Sequence, residues 1–172
     1  VPAAVRRGDP ATNGGELQRE GPGNIEAYQE FLHGQFFYNR RSPGDIERAL
    51  SHYQRAVALD PRYARAWAAL GGANSLGIGE TYANSNDALR DLQGAAARKA
   101  VQLDPRLAVA HARLAQYYFH VQEREKGREH LRIATEPDRD DPLVLGFSAN
   151  EAVWRGDIGA AVGIWRRIVA QD

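Results

Sequence analysis

One stretch of this chain occurs twice. Ala49–Trp67 (ALSHYQRAVALDPRYARAW) and Ala95–His111 (AAARKAVQLDPRLAVAH) share Ala-Val-x-Leu-Asp-Pro-Arg followed by a second Ala-rich segment. Pro61 and Pro105 stand 44 positions apart, and a weaker copy occupies Leu131–Phe147 (LRIATEPDRDDPLVLGF). A period of about 20–50 residues marks a solenoid, in which each unit hides its apolar face only against its neighbours. The Leu-Asp-Pro triplet ends a helix, because proline disfavours α geometry in the residue before it and cannot continue the hydrogen-bond ladder. Asp60 and Asp104 are expected either to cap the helices that follow or simply to be solvated.

Helical periodicity begins at Asn24 and persists to the C-terminus. It predicts helices over 24–39, 45–59, 63–76, 86–103, 107–120, 124–136, 141–154 and 157–170. Residues 1–23 are a different material, with three prolines and five glycines ending in Gly21-Pro22-Gly23. Such a segment buries too little apolar surface to offset its chain entropy, so 1–23 reads as a flexible tether. The remainder, 24–172, reads as one repeat domain with units of about 24–62, 63–106, 107–140 and 141–172.

These residues resemble the tetratricopeptide repeat (TPR), a pair of antiparallel helices in about 34 residues with the pattern W-x2-L-G-x2-Y…A-x3-F…A…P. Trp67-Ala68-Ala69-Leu70-Gly71 matches W-x2-L-G, and Ala49, Tyr53, Ala56 and Pro61 match the second half. Leu114, Ala115 and Tyr118 with Gly127, Leu131 and Ala134 form a third register. Gly156-Asp157 with Ala161, Trp165 and Ile168 form a fourth. The resemblance covers 24–172 and implies an all-α, right-handed superhelix of about four hairpins. Gly34, Gly71, Ala115 and Ala149 are the expected points of close helix approach, opposite Ala49 and Ala161, with Tyr53 and Trp165 filling the space beside them. The repeat is broken twice: a long turn at 39–45, and about ten extra residues at 77–86, read either as a recognition loop or as a surface elaboration. Ala97 stands where an aromatic is usual, which predicts packing there that is looser, or compensated by the insertion.

Residues 27–61 are also similar to arrays that lie C-terminal to a winged-helix, nucleotide cyclase or protein kinase domain in bacterial signalling proteins. That likeness implies the sensory half of a larger regulator, acting through intramolecular contact or self-association. The absence of any methionine fits an excised piece.

Composition narrows the function. Basic and acidic side chains balance at 22 each, so no basic excess points to direct nucleic-acid binding. No apolar run approaches the ~18 residues needed to span a bilayer. Cysteine is absent, which removes disulfides, thiolate metal sites and thiol nucleophiles. The compartment, bacterial cytoplasm or periplasm, stays open. The serines have no organised base nearby in sequence, and the glycines match no phosphate loop. The expectation is a non-enzymatic protein with no cofactor and no resident metal.

In a TPR array the first helix of each unit lines the concave face. This places Tyr28, Gln35, Tyr38, Asn39, Arg65, Gln116, Phe119, His120, Asn150 and Trp154 there as partner-binding candidates. Amides both donate and accept, which suits backbone recognition. Aromatic rings bury partner side chains at low entropic cost. The ligand this lining suits is an extended peptide or an amphipathic helix. Phe31, Phe119 and Trp154 serve equally well as packing between repeats. The basic clamp by which some TPR arrays hold the C-terminus of heat-shock chaperones falls here on Phe31, Gln35, Ala69, Val109 and Arg113. Only Arg113 is basic, so that clamp is not expected. His111 takes the usual tryptophan position and reads as a packed core histidine. His120, near Glu123, reads as a solvated helix-end residue, or as one that binds a metal or titrates. The last helix, with Ile158, Val162, Ile164, Trp165, Ile168 and Val169, has no polar capping helix after it, and homo-oligomerisation through it is the third expectation.

Overall fold

The computed structural model describes residues 23–80, 87–137 and 140–170. Among them all regular structure is helical: α1 (Ile25–Arg40), α2 (Asp45–Leu59), α3 (Ala64–Glu80), α4 (Asp87–Leu103), α5 (Ala108–His120), α6 (Arg124–Thr135), α7 (Pro142–Trp154) and α8 (Ile158–Val169). Consecutive helices pair as four hairpins that stack in chain order. This is the all-α helical repeat expected from the sequence. The tether expected over 1–23 lies outside the described residues except for Gly23. The loop expected at 77–86 is partly helix, because α3 runs on through Gly77–Glu80; residues 81–86 lie outside the described set.

Helix starts follow local chemistry. The Asn24 side chain accepts from the amides of Glu26 and Ala27, Asp141 accepts from Val144 with Pro142 in the first turn, and Asp157 accepts from Ala160. Each satisfies amides that a helix N-terminus leaves without a partner. Asp60 and Asp104 do something else. They close the interhelix turns, accepting from the amides of Arg62 (3.0 Å) and Arg106 (2.9 Å), only two residues on. The proline that follows each aspartate delays the next helix, so the carboxylate falls short of its first turn. The turns are matched again from above. Trp67 Nε1 donates to the Pro61 carbonyl at 3.0 Å, and His111 Nε2 reaches the Pro105 carbonyl at 3.0 Å. Histidine thus replaces tryptophan at the same offset, keeping the donor, and is buried there as expected.

Three apolar clusters each span neighbouring units. One joins Ala27 and Phe31 of α1, Ala49, Tyr53 and Ala56 of α2, Ala66, Leu70 and Ala73 of α3, and Ala96 of α4, with Trp67 packed against it. A second links Ala68, Ala100, Leu107 and Ala110. A third links Phe119, Leu131, Ala134 and Val144. No hairpin therefore buries its apolar surface alone.

Close approach takes three forms. The Tyr53 ring lies over Gly34, where a Cβ would come within 2.5 Å of it. The Phe119 ring lies over Gly127 at 2.6 Å, with the glycine on the second helix rather than the first. In the second hairpin no ring lies at the close approach. A Cβ on Gly71 would sit 3.3 Å from the Gln93 carbonyl, and Ala97 is fully buried. The looser packing expected at Ala97 is therefore not found; two small surfaces let the backbones close up instead. Trp165 does not fill an interior space either. It is exposed, because no described helix packs on the far side of α8.

The long first turn is held by charge. Asp45, buried at the start of α2, accepts a two-point contact from Arg40 (2.7 and 2.6 Å) and the amide of Ser42 (2.9 Å). Bonding to the Arg40 guanidinium holds its carboxyl down at about 2 despite the cost of burial. Arg41 and Gly44 both take left-handed φ, 53° and 76°, which lets the chain reverse.

The ring-over-glycine contact sets a paired expectation. Gly34→Ala should destabilise by about 1–3 kcal/mol, since Tyr53 is buried and cannot retreat. Gly146→Ala, inside α7 with nothing within 4 Å of the added methyl, should stabilise by about 0.5–1 kcal/mol. Urea unfolding followed by circular dichroism measures both, and equal effects would contradict the packing described.

Candidate functional site

The odd-numbered helices touch one another in succession, α1 to α3, α3 to α5 and α5 to α7, while no even–even pair makes comparable contact. The odd helices therefore form the shorter, inner wall of the curved stack. Its floor is polar where the wheel of α5 turns inward. Arg113 is buried there, its guanidinium against Gly72 of α3, where a Cβ would come within 2.5 Å of Cζ. Arg113 Nη2 donates to the Tyr38 hydroxyl at 3.1 Å, and Nη1 to Gln116 Oε1 at 3.4 Å. Gln116 Nε2 in turn donates to Ser75 Oγ at 2.7 Å. The guanidinium carbon also stands 5.7 Å from the ring centres of Tyr38 and Phe147. This chain joins α1, α3, α5 and α7.

Among the described residues no carboxylate lies within ion-pair distance of Arg113, and its Nε has no acceptor. A buried cation without a counter-charge is costly, and the cost falls when an anion approaches. The two hydroxyl and amide oxygens screen it only in part.

At the rim, the C-terminal end of α5 opens onto a cavity of about 270 Å³ lined by Arg90, Phe119, His120, Gln122, Arg124 and Trp154. The Phe119 and Trp154 rings meet edge to face with centroids 5.2 Å apart, the geometry that ring quadrupoles favour. Phe119 is buried and half of Trp154 is exposed. His120 Nδ1 lies 3.2 Å from the Oε1 of Gln93, so Nδ1 carries the hydrogen. Burial, and then the nearby Arg90 cation, lower the His120 pKa. The imidazole therefore stays neutral into mildly acidic solution. An apolar wall between two guanidinium groups can take an aromatic or aliphatic side chain next to an acidic group.

The structure sorts the ten candidates. Tyr38 and Gln116 join the network around Arg113. Phe119, His120 and Trp154 meet at the rim cavity. Tyr28, Gln35, Asn39, Arg65 and Asn150 are exposed on the odd helices and gather around neither feature. Sequence reading weighed Arg113 only as a clamp position and passed over Arg90, Gln122, Arg124 and Phe147. Composition gave no signal for Arg113: Arg98 stands in the similar alanine-rich run AAARKA and is exposed. Arg90 and Arg124 carried none either, since they reach one cavity only because α4, with Arg90, packs against α5, whose C-terminal end leads into α6 at Arg124. His111 was read alone, yet its Nδ1 lies 2.9 Å from Nδ1 of His130. With Nε2–H used on Pro105, Nδ1 of His111 accepts and His130 donates.

A TPR repeat family model matches residues 40–76. No curated protein matches the sequence. Among solved structures, a thermophilic TPR protein of Thermus thermophilus is similar over 93% of this chain and 80% of its own, with TM-score 0.71 and 19% identity. The TPR2B domain of yeast Sti1, in a complex with pHsp70, matches 87% of this chain and all of its own at TM-score 0.56 and 17% identity. The first TPR of Spaghetti (RPAP3), bound to the HSP90 peptide SRMEEVD, matches 70% of this chain and 85% of its own at TM-score 0.56 and 14% identity. The fold is that of a TPR solenoid.

The histidines set an acid limb to stability. The pKa of His130 is lowered by burial and by His111, and that of His120 by burial and Arg90. An unfolded chain takes up these protons first, so stability is full above the free imidazole value of about 6.5 and falls as pH drops below it. Thermal unfolding between pH 7.5 and 5 should show this decline. His120→Gln with His130→Gln should flatten it; an unchanged slope would reject the assignment.

Proposed function

We propose that this TPR solenoid is a non-enzymatic interaction module that takes a peptide segment of a partner protein along its inner wall. The observation that carries the reading is the buried Arg113, held by Tyr38 and Gln116 and lacking a carboxylate among the described residues. A partner carboxylate lying over the floor would supply the missing charge. A neighbouring apolar or aromatic side chain would enter the cavity between Phe119 and Trp154, with Arg90 and Arg124 at its mouth. Exposed Asn39, Gln35 and Asn150 would meet the peptide backbone. The peptide complexes of Sti1 and RPAP3 support a module of this kind. Phe31, Ala69 and Val109 occupy other positions of the chaperone clamp, so the partner differs from theirs in what it presents.

A peptide array with free C-terminal carboxylates, read against the same peptides amidated or with acidic residues replaced by amides, tests this. Binders should contain a carboxylate and should weaken as salt rises. Phe119→Ala, Tyr38→Ala and Asn150→Ala together should weaken them at least tenfold, the scale of a lost anchor. Trp154→Ala, at a half-exposed position, does the same without touching the core. Binding that survives both variants would reject the inner wall as the site.

A second reading is self-association through the outer face of α8. Ile158, Val162, Trp165 and Val169 form an exposed stripe at helical spacing, and Ile25, Leu32 and Phe36 form another on α1 at the opposite end of the stack. Two such faces suit head-to-tail contact between copies, or a regulatory domain joined to this one. Light scattering should show mass rising with concentration, and Val162→Asp with Trp165→Asp should abolish the rise. A concentration-independent monomer would remove this reading.

A further inference from the structure

We propose that Glu30, His33 and His52 form a divalent-metal site, of zinc type, that bridges the first hairpin. Glu30 and His33 stand three apart on α1 and so share one face of that helix. His52 comes from α2. The candidate ligand oxygen and nitrogens of the three all lie within 4.8 Å of one another. His52 Nδ1 is already 2.7 Å from Glu30 Oε2, and the two imidazole rings meet at 5.3 Å between centroids.

Two imidazoles and one carboxylate are a borderline donor set, matched to Zn²⁺ rather than to Ca²⁺ or Mg²⁺, which take oxygen. Bonds of about 2.0–2.2 Å around a tetrahedral ion put its ligand atoms roughly 3.3 Å apart. Reaching that spacing requires the Glu30–His52 contact to open slightly and His33 to turn inward. His33 is exposed and free to do so, while Glu30 and His52 are half-buried and already fixed. The Phe37 ring stacks on His52, centroids 5.5 Å apart and 9° from parallel, which holds the imidazole plane.

The surrounding charge permits a cation. Arg40 and Arg48, near Phe37, are both occupied by Asp45. Arg55 touches Glu30 only at 4.0 Å and is largely exposed, so it can swing away. Three protein ligands leave a fourth position for water or for a donor from a partner. Bound metal would staple α1 to α2 at the end of the stack, where the hairpin has a neighbour on one side only.

Titration of the full chain with Zn²⁺ against a chromophoric chelator tests the proposal, with Co²⁺ absorption reporting ligand geometry. One site per chain is expected, with affinity reduced at least tenfold by His33→Ala, by His52→Ala and by Glu30→Gln. His33→Ala is the decisive variant, because an exposed side chain can be removed without disturbing the fold. Equal affinity in the wild type and His33→Ala would overturn the site. So would loss of binding on His130→Ala instead, which would assign the metal to the His111–His130 pair.

Discussion

A flat group lying across a glycine is the joint on which this stack depends. Tyr53 covers Gly34 between α1 and α2, and Phe119 covers Gly127 between α5 and α6. The same device works between units: Tyr117 covers Gly94 of α4, and the Arg113 guanidinium covers Gly72 of α3. In each case the absent Cβ lets a planar group pass within van der Waals distance of a helix backbone. Dispersion over the whole plane replaces the interlocking of branched side chains. Alanine dominates the rest of the interior, so the helices sit close and the rings set their spacing.

The joint also explains how a charge came to lie in the wall. A guanidinium is as flat as a ring and packs on Gly72 in the same way, but it brings a positive charge. Asp45 and Arg113 are both buried, with opposite outcomes. Asp45 meets Arg40 and a backbone amide, which satisfies it and closes the first turn. Arg113 meets a hydroxyl, an amide oxygen and two aromatic faces, which orient it without neutralising it. The first arrangement belongs to the fold; the second leaves attraction for something outside it.

The two units related by 44 residues show how much change a repeat absorbs. Trp67 and His111 make the same bond to the proline carbonyl six residues back. Histidine fills less space, and the room it leaves is taken by His130 from the next helix. Tyr118 then stacks on His130, 9° from parallel. The substitution is thus local in geometry but adds titratable groups to an interface that is apolar one unit earlier.

Periodicity, the Leu-Asp-Pro triplets and the small residues at matched offsets determined the helices, their order and their pairing, because those are matters of neighbours in sequence. They also named Tyr38, Gln116, Phe119, His120 and Trp154, because a face of one helix can be counted. What they could not determine was which side chains come together from different helices: Arg113 with Tyr38 and Arg90 with Trp154 across units, or Glu30 and His33 with His52 inside the first hairpin. Those groups lie between 19 and 75 positions apart. Their distances are set by how closely the two helices of a hairpin approach and how each hairpin sits on the last, and both are shaped by planar groups on glycine whose partners only the folded stack selects.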